Sequence, residues 1–384
     1  MVEPFPLIEV AGPPRERGRQ YGRRAAERIA RGSSHYTAQL ARAALDADAI
    51  RQLVREYVPQ MEAFEPAYVE EMRGIAEGAG VDFETVALLN ARTEILKLGQ
   101  RPDLRRRLRG EADACTGVVA LPEATAERRL IHAQNWDWKV ECAETGVVLR
   151  VRRDDGPDLL TFTEAGGLAR SGFNAAGVAI TANYLESDRD YRQLGVPLAL
   201  IRRKVLESRD LALAMRAVYV TPKSAANNMI VSHVGGVAID FECAPDETFQ
   251  VHAEAGLLVH ANHFVSPVAL AKLRDTGIAN TPDSLYRDLR VRGLLAPQLG
   301  LITRESVKAA LFDEFAAPWS VCRPPRRGVT DTLTATVAMI VMEPALGVME
   351  IAPLPALQRR FTAYHLEVVD CPASRDYPVG ARLS

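Results

Sequence analysis

Long apolar runs are missing from this chain: nowhere do about 18 apolar residues follow one another, the minimum for a helix that crosses a bilayer. No membrane span is therefore expected. The opening stretch, residues 1–6, also lacks the basic-then-apolar build of a secretory signal, and the expected location is the cytoplasm. An excess of either charge is lacking too. With 47 basic against 49 acidic side chains, a formal net charge of -2 gives no general attraction to nucleic acid or an anionic membrane, so the expected partner is a small molecule. Paired cysteines are absent as well: Cys115, Cys142, Cys243, Cys322 and Cys371 form an odd, scattered set without a Cys-x-x-Cys pair. Zinc and redox chemistry are disfavoured, and at least one thiol is expected to be free.

What is present is an ordinary globular composition, 47% hydrophobic and 25% charged over 384 residues, enough for one large domain or two smaller ones. The first hundred residues read as helices: Tyr68, Met72, Ile75 and Ala79 fall at helical spacing, and Asp82 is placed to cap a segment presenting Phe83, Val86 and Leu89. Residues 100–110 hold five arginines with only Leu104 and Leu108 as apolar members, which reads as a solvated linker. A trimming site for another protease and a patch for a phosphorylated carrier such as coenzyme A are the alternatives there. After Asp113 the texture changes to short apolar runs broken by turn residues, the pattern of strands joined by hairpins. Residues 115–121 and 130–138 form one predicted antiparallel pair; 147–151, 159–163, 178–184, 228–234, 237–242, 257–260, 333–342 and 347–351 read as further strands. Helices are expected at 197–208, 210–219 and about 282–308, with Pro197 in a first turn. Strands grouped with strands and helices with helices argue for an α+β layered fold.

The most informative stretch is Asp113-Ala114-Cys115-Thr116-Gly117, which puts a cysteine where the arginine-rich linker meets the first strand of the sheet region. By itself such a residue reads as a small core side chain. Its company changes that: Gln134-Asn135-Trp136-Asp137-Trp138 closes the next strand, and a hairpin returns this polar cluster to the start of the first. Trp136 and Trp138 alternate to one face and, with Gln134, are candidates for a substrate pocket as much as for the core. His260 and His263 stand three apart, so on a strand they point to opposite faces and make an awkward metal pair; no metal is expected.

The cysteine, the Gln134–Trp138 stretch, the later Val259-His260-Ala261-Asn262-His263-Phe264 and the opening Gly12–Gly22 segment together resemble the isopenicillin N acyltransferase-like family of N-terminal-nucleophile hydrolases. The resemblance implies a four-layer αββα fold of two stacked antiparallel sheets with a helical N-terminal segment, made as a precursor. It implies cleavage of the Ala114–Cys115 bond into residues 1–114 and 115–384, which stay together as one globular unit. Carried over by position, Cys115 is the nucleophile, Asp137 its supporting carboxylate, Asn262 an oxyanion-hole amide, and Asn183 a second one. Among bile-salt hydrolases, more distant relatives, an arginine precedes the aspartate by three residues; here Gln134 does, which argues against bile salts as substrate. Arg323, Arg326 and Arg327 are candidates by region for a late site arginine. Ala114 departs from the glycine of the penicillin enzyme, and its Cβ restricts strained backbone there.

The implied chemistry is coherent. A free α-amine, with a reference pKa of about 7.7–8.0, is partly uncharged near neutrality and takes the thiol proton. The acyl group of an N-acyl amide or acyl thioester then passes to water or to an amine, and nothing in the sequence separates hydrolase from acyltransferase. No cofactor is expected, coenzyme A entering only as part of a thioester substrate. Among the remaining candidates, Cys142 is worth placing relative to the site, and Asn90 and Glu94 are placed to brace the precursor loop. The rival reading is an uncleaved, non-enzymatic small-molecule binding protein on the same fold. Oligomeric state has no signature in the sequence.

Overall fold

The computed structural model describes residues 2–42, 45–98, 114–327 and 333–368. The arginine-rich stretch at 100–110 and Cys371 lie outside the described residues. The strands are β1 (Leu7–Val10), β2 (Ala114–Ala120), β3 (Ile131–Lys139), β4 (Gly146–Val151), β5 (Leu159–Glu164), β6 (Ser171–Asn174), β7 (Val178–Tyr184), β8 (Asn227–His233), β9 (Val237–Cys243), β10 (Thr248–His252), β11 (Leu257–His260), β12 (Arg326–Arg327), β13 (Leu333–Glu343), β14 (Val348–Pro353) and β15 (Thr362–His365). Helices α1 (Pro14–Arg42), α2 (Ala47–Phe64), α3 (Pro66–Ala79), α4 (Phe83–Asn90) and α5 (Arg92–Leu98) precede β2. Helices α6 (Leu198–Glu207) and α7 (Leu211–Val220) follow β7, and α8 (Pro267–Lys272), α9 (Ser284–Leu295) and α10 (Arg304–Leu311) lie between β11 and β12.

The strands make two sheets, one ordered β1-β4-β5-β6-β7-β8-β9-β10 and the other β11-β2-β3-β13-β14-β15 with β12 on β13. Alternation along each strand stacks the layers. Val119 packs with Ile230 and Leu258 between the sheets, whereas its neighbours Val118 and Ala120 join Val291, Leu295, Val307 and Leu311 of α9 and α10 on the other face. On the larger sheet, α6 and α7 lie over β6 to β9. The result is the four-layer αββα arrangement with a mainly helical N-terminal segment.

The first strand departs from two expectations. Residues 7–10 are not helical, and β1 pairs in parallel with β4, so the larger sheet is not wholly antiparallel. A parallel pair needs a long connection, and the whole of α1 to α5, β2 and β3 lies between these two strands. The short β6 and β10 also escaped the sequence reading, because four or five residues of mixed polarity carry little periodicity. Elsewhere the local chemistry behaves as expected: the Asp82 carboxylate accepts from the Thr85 amide at 2.8 Å and starts α4. Pro197, expected in a first turn, is instead the residue that caps α6. The predicted 282–308 helix is broken between α9 and α10. No described helix is long and apolar enough to cross a membrane.

The N-terminal helices owe their packing to glycines spaced by four. Gly18 and Gly22 of α1 face Gly74 and Gly78 of α3, and a Cβ at any of them would collide with a backbone carbonyl, of Glu71, Ile75, Arg15 and Arg19 respectively. Only hydrogen at these positions lets the two helices approach this closely. Beside the seam, Arg17 and Arg203 share the buried Glu71 carboxylate at 2.6 and 3.1 Å, tying α1 and α3 to α6. Gly22→Ala is therefore expected to destabilise the protein by about 1–3 kcal/mol through overpacking. Gly293→Ala, in open space on α9, should be neutral or slightly stabilising. Urea unfolding of both variants checks the contrast, and equal effects would dismiss the seam.

Candidate active site

The β2–β3 register sets Cys115 opposite Trp136 and Ala114 opposite Asp137. Cys115 and Trp136 consequently point into the layer between the sheets, while Asp137 points towards α9. Cys115 has no exposed surface. Its sulfur lies 3.9 Å from Nη2 of Arg170, whose guanidinium stacks on the Trp136 ring at 4.1 Å. The Arg170 guanidinium thus presents a donor to the sulfur. Ala114 lies in extended strand backbone, a conformation that its Cβ permits.

The backbone of Cys115 is held from the opposite face. Its N–H donates to Asn262 Oδ1 at 2.7 Å, and Asn262 in turn donates Nδ2 to the Tyr184 carbonyl at 2.8 Å and its own N–H to Ser284 Oγ at 2.7 Å. Arg287 of α9 completes the arrangement. It donates Nη2 to the same Asn262 oxygen at 2.7 Å, Nη1 to the Cys115 carbonyl at 2.6 Å and to Thr116 Oγ1 at 2.9 Å, and Nε to Asp283 at 2.8 Å. Asp137 accepts from the Thr336 hydroxyl at 2.6 Å and pairs with Arg323 at 3.2 Å, and Arg323 also binds Asp283. Burial pushes the Asp137 carboxyl above its ordinary range, outweighing the pull of Arg323 and Arg287.

Of the three late arginines, Arg323 is the one that reaches this group; Arg326 stacks on Trp319 instead. Asn183 is placed differently from its expected role. Both hydrogens of its amide are directed at the His260 and Ala261 carbonyls, at 3.0 Å each, and its oxygen accepts from Gln134 at 2.8 Å. It fixes the strand end that presents Asn262, and its donors do not face Cys115. Gln134 likewise belongs to the core between the sheets, bonded to Ala182, Asn183 and Ser171. Trp136 lies edge-on to Phe162, and Trp138 donates to the Tyr36 hydroxyl. His260 pairs with Glu242 at 2.8 Å; burial opposes its charge, but Asp240 and Glu242 prevail and raise it to about 9.

Arg170, which faces the Cys115 sulfur, also lines a narrow, open cleft. Its walls include Leu89, Arg92, Ala169, Arg170, Leu198 and Arg202, and Gln134, Trp136 and Trp138 do not line this cleft. Asn90 and Glu94 also lie on it. Asn90 bonds Gly166 and Leu168 and so braces the turn before Arg170, and Glu94 accepts from the Leu198 amide at 2.8 Å. Cys142 sits 3.6 Å from the Tyr36 hydroxyl, in a network with Glu164, and burial holds its thiol well above the usual range. Arg170 and Arg287 escaped the sequence reading. Asp283 and Arg287 have the spacing of an ordinary surface ion pair on a helix, and nothing around Arg170 marks it.

The family described as acyl-coenzyme A:6-aminopenicillanic acid acyl-transferase matches residues 124–352, a span that holds Asp137, Asn183, Asn262, Arg287 and Arg323 and begins after Cys115. The acyl-coenzyme A:6-aminopenicillanic-acid-acyltransferase 40 kDa form of Emericella nidulans is 30% identical over 326 residues, covering 84% of this chain and 85% of that protein. Among solved structures, a mutant conjugated bile acid hydrolase from Clostridium perfringens is 12% identical with a TM-score of 0.45, over 66% of this chain and 92% of that one. An N-acylethanolamine-hydrolyzing acid amidase ortholog from Caenorhabditis elegans is 15% identical with a TM-score of 0.45, over 66% and 100%. By the family match over more than half of its length and by the Emericella relative, this chain belongs to the acyl-coenzyme A:6-aminopenicillanic acid acyl-transferase family.

Proposed function

We propose that the protein is a self-processing amidohydrolase or acyltransferase in which Cys115 becomes an N-terminal nucleophile. The observation that carries the reading is that both reactive atoms of Cys115 are already provided for: its nitrogen by Asn262 Oδ1 at 2.7 Å, its sulfur by the Arg170 cation at 3.9 Å. In the uncut chain the Cys115 nitrogen is a peptide nitrogen and not a base. The Cys115 sulfur attacks the Ala114 carbonyl while the thiol proton passes to the peptide nitrogen, the Ala114–Cys115 C–N bond breaks, and the nitrogen leaves as a free amine. Water then opens the thioester, restoring the thiol and ending residues 1–114 in a carboxylate. Cleavage removes Ala114 from its place opposite Asp137, leaving the new amine next to that carboxylate.

In the cut enzyme the α-amine takes the thiol proton and the sulfur attacks the acyl carbonyl of the substrate. Asn262 uses one amide hydrogen on Tyr184; the other is the donor assigned to the tetrahedral oxyanion. Asn183 acts through Asn262 by fixing the 260–261 carbonyls. The departing amine or thiol takes the proton from the α-ammonium, and the acyl-thioester on Cys115 passes its acyl group to water or to an acceptor amine. The family name speaks for an acyl-coenzyme A donor, and an amide donor reaches the same acyl-enzyme.

Intact mass under denaturing conditions tests the first half. Wild type is expected as two chains, the larger beginning at Cys115, and Cys115→Ala as one. Acylation by p-nitrophenyl acetate tests the second half. Wild type should gain one acetyl group on the larger chain, and Asn262→Ala and Asp137→Asn should acylate more slowly, the former by about 100-fold if its amide supplies an oxyanion donor. A Cys115→Ala protein that is cut and acylates like wild type would defeat the reading, and an intact wild-type chain without acylation would favour a binding protein on this fold.

A further inference from the structure

Arg287 has no exposed surface and makes four hydrogen bonds, to the Cys115 carbonyl, Thr116 Oγ1, Asn262 Oδ1 and the Asp283 carboxylate. The guanidinium and the Cys115 nitrogen share the acceptor Asn262 Oδ1, so the cation stands within two hydrogen-bond lengths of the nitrogen that cleavage would free. We infer that Arg287 is a positioning residue with two tasks: it clamps the carbonyl of Cys115 so that the sulfur and the bond before it are aligned, and it keeps the freed amine uncharged by placing a fixed positive charge beside it. The inference rests on the proposed role of Cys115.

The other charges around that nitrogen have been answered by one another. Asp137 from β3 is bound by Arg323 and Thr336, and Asp283, at the start of α9, is bound by both Arg323 and Arg287. His263, after β11, bonds Ser284; burial lowers its pKa and Asp288 and Asp275 act against that. Arg170 lies on the sulfur side. Two arginines therefore offset two aspartates on the α9 face, and the arginine that shares an acceptor with the amine is Arg287. A nearby positive charge disfavours the ammonium form, so the amine's proton is lost at lower pH than it would be without the arginine. Asn262 presents an oxygen and not a hydrogen to the nitrogen, an orientation that Arg287 enforces by donating to that same oxygen. The geometry thus gives the base both its direction and its protonation state.

The test follows acylation of the larger chain by p-nitrophenyl acetate from pH 5 to 9 in wild type, Arg287→Gln and Arg287→Lys, with self-cleavage followed by intact mass. For Arg287→Gln the acidic limb of the rate profile is expected to move up by about one pH unit, the size that one neighbouring charge imposes. Arg287→Lys keeps the charge and loses the fork; its limb should stay with wild type while self-cleavage slows. A glutamine variant that folds, is cut and shows an unmoved limb overturns the inference and leaves the Cys115 reading intact. An uncut, unreactive wild type defeats the Cys115 reading itself. Should Arg287→Gln fail to fold, Arg287→Lys decides: an unmoved limb with slow cleavage supports the inference, and a limb displaced by a full unit overturns it.

Discussion

One amide oxygen organises this site. Asn262 Oδ1 takes a hydrogen from the Cys115 backbone and another from Arg287, at 2.7 Å each, and because both donors are fixed by other bonds the carboxamide has only one orientation open to it. Its nitrogen must then face Tyr184. The 260–263 turn that carries Asn262 is set by Asn183 from one sheet and by Ser284 from α9. Three layers of the fold are thereby brought into register at a single atom. A shift of any of them by a fraction of an ångström would be felt first at the Cys115 nitrogen.

Around that atom lies a buried chain of alternating charge, Arg287 to Asp283 to Arg323 to Asp137. Each of these four side chains is at most a few per cent exposed. Buried ion pairs contribute modestly when complete, and breaking one by removing a partner costs about 3–5 kcal/mol, since a charge is left without an answer in a medium of low polarity. A fold selected only for stability has little need of such a chain. It is better understood as a way to hold several fixed charges at one place, with the sign alternating so that none is far from its opposite. The Trp136 face does the same on the sulfur side, where stacking holds the Arg170 guanidinium next to a thiol.

The parts of this arrangement that lie along a strand were legible in the sequence, and the parts that arrive from elsewhere were not. Cys115, Trp136 and Asp137 fall on a hairpin whose register follows from two apolar runs and the turn between them, so their proximity was foreseeable. The seven-residue β7 and the four-residue β11 were read as strands too, but not which atoms of Asn183 and Asn262 would face which carbonyl. Asn183 was read as a donor to the site, and its amide hydrogens are directed at the 260 and 261 carbonyls. Arg170 stands in the connection between two strands and Arg287 on a helix flank, and neither position differs in one dimension from dozens of solvated arginines. The glycines at 18, 22, 74 and 78 were visible as letters, but their mutual fit appears only when two helices are laid side by side. Even the early β1 was hidden, since its pairing partner lies beyond five helices.

That first strand gives the N-terminal segment a hold that no helix alone supplies. Residues 7–10 add a rung to the outer edge of the larger sheet, and α1 is fastened beyond it through Tyr36, which meets Trp138, Glu164 and Cys142. Once the backbone before Cys115 were severed, the two lengths of chain would be woven rather than merely touching. To part them, a sheet would have to unzip at its margin and the glycine seam would have to lift from α6 in the same motion. The cut would then act less like the opening of a joint than like the release of a tether in a knot already drawn tight, freeing one terminus for chemistry while the mechanical continuity of the molecule survives it.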